Sequence, residues 1–79
     1  TNQPTNSIMT LKITIDQSAR THISTDSGVF TVIPADFGRI DALAELGTLH
    51  SHCEEIDDST ESYPAWLAAF ESACPQWKA

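Results

Sequence analysis

The stretch from His50 to Cys53 (HSHC) holds the side chains best suited to metal chemistry, and Cys74 is the only other thiol. Imidazole and thiolate groups are the usual ligands of zinc. The spacing does not support such a site, because residues i and i+2 on a helix point about 200° apart, which separates His50 from His52. We expect one half-buried histidine, one exposed histidine, a core-facing thiol and no metal. A zinc- or redox-responsive module built on His50, Cys53 and Cys74 remains a third alternative.

The chain contains residue types that nucleophilic catalysis uses, but they do not form a recognisable catalytic arrangement. They are Ser51, His52, Cys53 and Asp57. Neighbours in sequence seldom meet as catalytic partners, and the chain has no G-x-S-x-G motif. A catalytic carboxylate or histidine also needs a concave, partly desolvated pocket, for which a chain of 79 residues offers little room. The run EEIDD at 54–58 lacks the D-x-D-x-D-G order of a calcium loop. We therefore expect a non-enzymatic protein without a cofactor.

The two cysteines are expected to be reduced thiols. Each falls near the end of a predicted helix, and an antiparallel helix pair would place them about 15 Å apart, beyond the reach of a disulfide. Reduced thiols indicate a cytoplasmic protein. The chain has no apolar run of the roughly 18 residues that span a bilayer, and its first residues lack the pattern of a signal peptide.

The negative charge is concentrated in residues 36–61, which we call the acidic segment. Eight acids and the single base Arg39 give this segment the whole formal charge of -7, because three acids elsewhere are balanced by three bases. Such a segment disfavours binding to nucleic acid or to anionic membranes and favours basic protein surfaces. The residues predicted to contact a partner are Asp41, Glu45, Glu54, Glu55, Asp57, Asp58 and Glu61. The alternative is a solvated surface that contributes only solubility.

Three strands are predicted in the first half of the chain. Strict alternation of apolar and polar residues from Met9 to Asp16 is typical of a half-buried strand. Residues 20–25 form a second, more polar strand, which favours an edge or a mostly solvated position. Residues 29–33 (VFTVI) form a third strand whose apolar run favours a central position. Short turns at 17–19 and 26–28 make an antiparallel meander the simplest arrangement.

Two helices follow the strands. Pro34 and Asp36 supply the chemistry of a first helical turn, and apolar residues then recur at three- and four-residue spacing. Gly47 either ends this helix or is crossed by one longer helix to about Ile56, and the continuing apolar spacing favours the longer helix. A second helix is predicted from Pro64 to about Cys74, stopped by Pro75, with Trp77 folding back onto the core.

The predicted fold is therefore an α+β domain over residues 9–79, after a disordered tail of residues 1–8. A three-stranded antiparallel sheet (β-β-β-α-α) carries both helices on one face. The pattern leaves open which side of the third strand faces inward, and either choice leaves apolar side chains on the far face as a candidate contact surface. The predicted core comprises Met9, Leu11, Ile13, Ile15, Ile23, Phe30, Val32, Phe37, Ile40, Leu43, Leu46, Trp66 and Phe70.

Size, acidity and the lack of catalytic motifs predict a small acidic protein-binding module. Proteins of this class include mobile-element and phage inhibitors of nucleic-acid-binding complexes, such as anti-CRISPR proteins and DNA mimics. We expect the acidic segment to dock on a basic, nucleic-acid-binding protein. The alternative is a structural or regulatory subunit that associates through apolar surface, possibly as a homodimer, because Trp66, Leu67, Trp77 and the third strand exceed what one small core absorbs.

Overall fold

The computed structural model describes residues 11–56 and 60–78 and confirms the predicted order of three strands followed by two helices. The predicted tail (1–8), the predicted core residue Met9 and the predicted contact residues Asp57 and Asp58 lie outside the described residues. The elements are β1 (Leu11–Ile15), β2 (Thr21–Thr25), β3 (Phe30–Ile33), α1 (Arg39–Ile56), α2 (Tyr63–Ala73) and a 3-10 helix (Pro75–Trp77).

The sheet is an antiparallel meander in the order β1-β2-β3, with Ile13 opposite Ile23 and Ile23 opposite Thr31. The predicted strand positions were wrong, because the polar strand β2 is central and the apolar strand β3 is at an edge. Two short hairpins force the middle strand of the chain into the middle of the sheet. Threonine tolerates this position because its methyl group packs while its hydroxyl is bonded, as in the 3.3 Å bond from Thr25 Oγ1 to the Val29 carbonyl.

Both hairpins use the same three-residue loop. The N–H of Asp16 donates to the carbonyl of Arg20, and the N–H of Thr25 is bonded to Val29 in the same way, each at 3.0 Å. The last loop residue is left-handed in both, with φ of 64° at Ala19 and 90° at Gly28. This geometry is a type I turn followed by a left-handed residue. Glycine meets that requirement without strain, whereas alanine does not.

The matched loops predict opposite effects of exchanging glycine and alanine. Ala19→Gly should raise the free energy of unfolding by about 1 kcal/mol, and Gly28→Ala should lower it by a similar amount or more. Urea denaturation followed by circular dichroism measures both. Destabilisation by Ala19→Gly would contradict the left-handed conformation at that position.

Helix α1 begins at Arg39, three residues later than the chemistry of Asp36 suggested, and runs without a break through Gly47 to Ile56. The segment before it is a turn, in which Phe37 N–H donates to the Pro34 carbonyl at 3.2 Å. The longer-helix alternative is thus confirmed. Its buried stripe consists of Ala42, Leu46, Leu49, His50 and Cys53.

Helix α2 packs against β1, while α1 packs against β3, so both helices cover one face of the sheet. Trp66 and Phe70 of α2 are fully buried. The 3-10 helix after Pro75 returns Trp77 to the core, as predicted, where its ring stacks on Phe70 at 5.5 Å between centroids.

Four residues of the predicted core are exposed: Ile15 by 49%, Phe30 by 70%, Val32 by 37% and Ile40 by 85%. Phe30 and Val32 lie on the sheet face away from the helices, because Ile33 faces inward and side chains alternate along a strand. Ile40 lies two residues before Ala42, which turns it about 200° away from the buried stripe of α1. Ile15 ends β1, which among the described residues has β2 as its one neighbouring strand.

The remaining predicted core residues are confirmed. Ile23, Leu46, Trp66 and Phe70 are buried, and Leu11, Ile13, Phe37 and Leu43 are partly buried against them. The core additionally contains Ile33, Ala42, Leu49, Cys53, Cys74 and Trp77. Across residues 11–56 and 60–78, neither helix has the length and apolar character required to cross a membrane.

Candidate acidic interface

Helix α1 displays three of the predicted contact residues to solvent. Asp41, Glu54 and Glu55 are exposed, and so is Glu61 just before α2. Glu54 and Glu55 are 59% and 79% exposed, and Nδ1 of His50 and of His52 lies 3.6 and 3.9 Å from their respective carboxylates. Adjacent residues diverge by about 100° on a helix, so these two carboxylates point to different sides of α1.

Glu45 differs from the other predicted contact residues because it is half-buried against the sheet. Its Oε1 accepts a hydrogen bond of 3.3 Å from Thr31 Oγ1 on β3. Asp41 precedes it by four residues and therefore lies on the same side of α1. By helix geometry Asp41, Glu45 and Glu55 fall on one side of α1, within about 80° of each other, whereas Glu54 lies opposite Glu45.

Arg39 is the only base of the acidic segment, and it is held by partly buried contacts with the end of the chain. Its NH2 group donates to Glu71 Oε2 at 2.7 Å, and its Nε donates to the Trp77 carbonyl at 2.8 Å. Trp77 Nε1 in turn donates to the Phe37 carbonyl at 2.9 Å. This network ties the start of α1 to the end of the chain. It also means that Arg39 balances Glu71 rather than an exposed acid of its own segment.

His50 connects α1 to the residues before α2. Its Nε2 lies 2.7 Å from the Glu61 carbonyl, which can only accept, so Nε2 carries the proton. His50 is buried, and its ring packs edge-on against Trp66, with 4.9 Å between centroids, and against Tyr63. His50 therefore fixes the position of Glu61 relative to α1.

Among the residues that the structure describes, the strongest pKa shift lies away from the acidic segment, at the β1–β2 hairpin. The hydrogen bond from His22 Nε2 to Asp16 Oδ2, at 2.7 Å, is the main cause that holds the pKa of Asp16 well below its usual range. Backbone N–H groups of Ser18 and Arg20 donate to Asp16 Oδ1 and act in the same direction. Asp16 is therefore occupied in forming the turn.

The thiols and imidazoles do not converge on one point. Within residues 11–56 and 60–78, no group of three or more His, Cys, Asp or Glu side chains is placed to hold a metal ion. The Cys74 thiol donates to Thr21 Oγ1 at 3.9 Å, and Thr25, at the other end of β2, is the hydrogen-bonding neighbour of Cys53. Four residues of strand separate these threonines by about 13 Å, so a disulfide between the thiols would require the sheet to rearrange. Both cysteines are free and buried.

A shallow groove runs between β3 and α1. One part has a cavity volume of about 300 Å³, and its lining includes Phe30, Thr31 and Glu45. A second part, of about 440 Å³, lies on α1 alone and is lined by residues from Gly47 to Glu55. The two parts share Thr48 and His52 in their linings.

Sequence reasoning located the exposed acids but missed the inward roles of Arg39, Glu45 and His50. The spacing offered one signal, since Arg39, Leu46, His50 and Cys53 follow one stripe at three-, four- and seven-residue intervals. Residue spacing cannot predict the contacts that these residues make with Glu71, Thr31 and Glu61, because each contact joins residues that are far apart in the chain.

Comparison with known proteins adds no family to this description. A scan of protein-family models, a search of curated proteins and a search of solved structures each return no match to the chain.

Proposed function

We propose that this chain is a non-enzymatic protein-binding module whose acidic segment docks on a basic surface of a nucleic-acid-binding protein or complex. Occupying Lys and Arg side chains that would otherwise bind phosphate would make it an inhibitor, in the manner of anti-CRISPR proteins and DNA mimics. A cytoplasmic location is part of this proposal and is supported by the two unpaired thiols.

The proposal rests on one observation: among the described residues, the exposed acids of the acidic segment are not paired with the one base of that segment. Arg39 is partly buried and pairs with Glu71. Asp41, Glu54, Glu55 and Glu61 are exposed, and no Lys or Arg among the described residues forms an ion pair with them. Unneutralised carboxylates keep a strong negative field over this surface, which attracts a basic partner.

The test is a variant in which Glu54, Glu55, Asp57 and Asp58 are all replaced by lysine. We expect capture of the basic partner from host-cell lysate to be lost, because four reversed charges turn attraction into repulsion. Circular dichroism and urea denaturation should show the fold of the parent protein, because Glu54 and Glu55 are exposed. The packing of the neighbouring histidines does not depend on the charge of these two carboxylates.

The matched control keeps every charge and changes only the side-chain length, with Glu54→Asp, Glu55→Asp, Asp57→Glu and Asp58→Glu. This variant should retain the partner. If the folded lysine variant captures the same partner as the parent protein, the acidic segment is not the binding surface and the proposal is wrong.

A second candidate function is a structural or regulatory subunit that dimerises through apolar surface. It is favoured by the exposure of Phe30 and Val32 on the sheet face opposite the helices. A dimer of this kind should elute at the same volume from a sizing column at low and high salt, because apolar contacts do not weaken as salt rises.

A further inference from the structure

We propose that the outer edge of β3 binds an extended, basic segment of the partner as a fourth strand of the sheet. This inference rests on the proposed function and specifies how the partner is held. Addition of a strand to a sheet edge is a common mode of peptide recognition, in which backbone hydrogen bonds supply affinity and alternate side chains supply specificity.

The hydrogen-bond pattern shows which groups β3 offers. Thr25 N–H donates to the Val29 carbonyl, so Val29 faces β2. In an antiparallel ladder the direction alternates, so Thr31 and Ile33 also face β2, whereas Phe30 and Val32 direct their N–H and C=O groups outward. Within the described residues β3 has no second neighbouring strand. Two donors and two acceptors are therefore arranged for another strand.

The edge of β3 lacks the side chains that usually block such pairing. Edge strands are commonly protected by lysine, proline or inward-pointing charge, but the sequence of β3 is FTVI. Phe30 is 70% exposed and Val32 is 37% exposed. Their side chains would contact the alternate residues of an added strand on the outer face of the sheet.

The groove beside this edge explains why the added strand should carry a basic residue. A residue of the added strand opposite Thr31 would direct its side chain to the helix-covered face, as Thr31 does. Glu45 lies there, within 3.3 Å of Thr31 Oγ1. A lysine or arginine at that position could pair with Glu45, and neighbouring basic residues could reach Asp41 and Glu55 along the same side of α1. The expected segment has β-branched or apolar residues on either side of a basic one.

A second copy of the chain is a poorer occupant than a basic segment. Pairing of β3 with the β3 of another copy would bring together two proteins of formal charge -7. It would also bring Glu45, which contacts Thr31 of β3, close to the same residue of the other copy. Like charges in contact oppose association, whereas a basic segment is complementary.

The probe is a short, end-blocked peptide in which lysine alternates with threonine, titrated into the full chain and followed by amide hydrogen exchange. Free chain should exchange quickly at the Phe30 and Val32 amides, and bound chain should protect both. Val32→Pro removes one outward N–H without removing a bond to β2, and should weaken binding about tenfold. Val32→Thr keeps that N–H and a β-branched side chain, and should therefore bind more tightly than Val32→Pro.

A peptide N-methylated at alternate amides provides a control that leaves the protein unchanged, and it should also bind about tenfold more weakly. Binding without protection of Phe30 and Val32, or equal binding of both peptides, overturns the edge inference but not the proposed function. Absence of peptide binding overturns the inference, as does a dimer that already protects both amides. Failure of the proposed function is recognised separately, by capture of the lysate partner with the charge-reversed variant.

Discussion

Replacing Trp77 with alanine is expected to lower the free energy of unfolding by about 3–5 kcal/mol. The ring is 98% buried and stacks on Phe70. Its Nε1 donates to the Phe37 carbonyl, and its own carbonyl accepts from Arg39. Alanine leaves a cavity at the point where the end of the chain is joined to the start of α1. Because a domain of 79 residues has a total stability of about 4–12 kcal/mol, this single change should leave little folded protein at elevated temperature.

Trp77→Phe is the matched control for this prediction. Phenylalanine keeps an aromatic ring against Phe70 and loses the Nε1 donor, so the cost should be about 1–2 kcal/mol. Urea denaturation followed by circular dichroism gives both values. Equal stability of the alanine and phenylalanine variants would show that Trp77 does not pack in the core.

Cys53 and Cys74 are expected to react with a water-soluble thiol reagent at least about a thousandfold more slowly in the native protein than in urea. Both side chains have no solvent exposure. Burial raises the pKa of both thiols, while the hydrogen bonds of Cys53 with Thr25 and of Cys74 with Thr21 act in the opposite direction. A raised pKa leaves less of the reactive thiolate at neutral pH. Labelling should therefore occur only through unfolding of the surrounding core.

Single variants Cys53→Ala and Cys74→Ala separate the two sites, because each leaves one thiol to be measured. Both should show the same slow labelling, scaled by any loss of stability. Rapid labelling of either remaining thiol under native conditions would contradict its burial. It would also support the alternative that this thiol has a redox role.

The sequence contained enough information for the order of the elements. Strict alternation in the first strand, turn residues at the hairpins and proline at 34, 64 and 75 all report on local backbone preference. The positions of the strands within the sheet do not follow from local backbone preference. The buried threonines of β2 are polar by composition, and their central position is set by the two hairpins and by contacts such as that of Thr21 with Cys74.

The candidate interface was predictable in charge but not in geometry. Exposure of Asp41, Glu54 and Glu55 follows from their residue type. The bond of Glu45 to Thr31 does not, because it depends on which side of β3 faces inward, and the run VFTVI is apolar on both sides. The same ambiguity placed Phe30 and Val32 in the predicted core and concealed the open edge of β3.

The most direct test of the proposed function is affinity capture from lysate of the host cell, washed at low and at high salt, with mass spectrometry of the released proteins. The account predicts that a basic, nucleic-acid-binding protein is retained at low salt and released at high salt, because an electrostatic complex is screened by ions. Retention of no basic protein, together with a salt-insensitive dimer on a sizing column, would contradict it and would leave the acidic segment as a solvated surface.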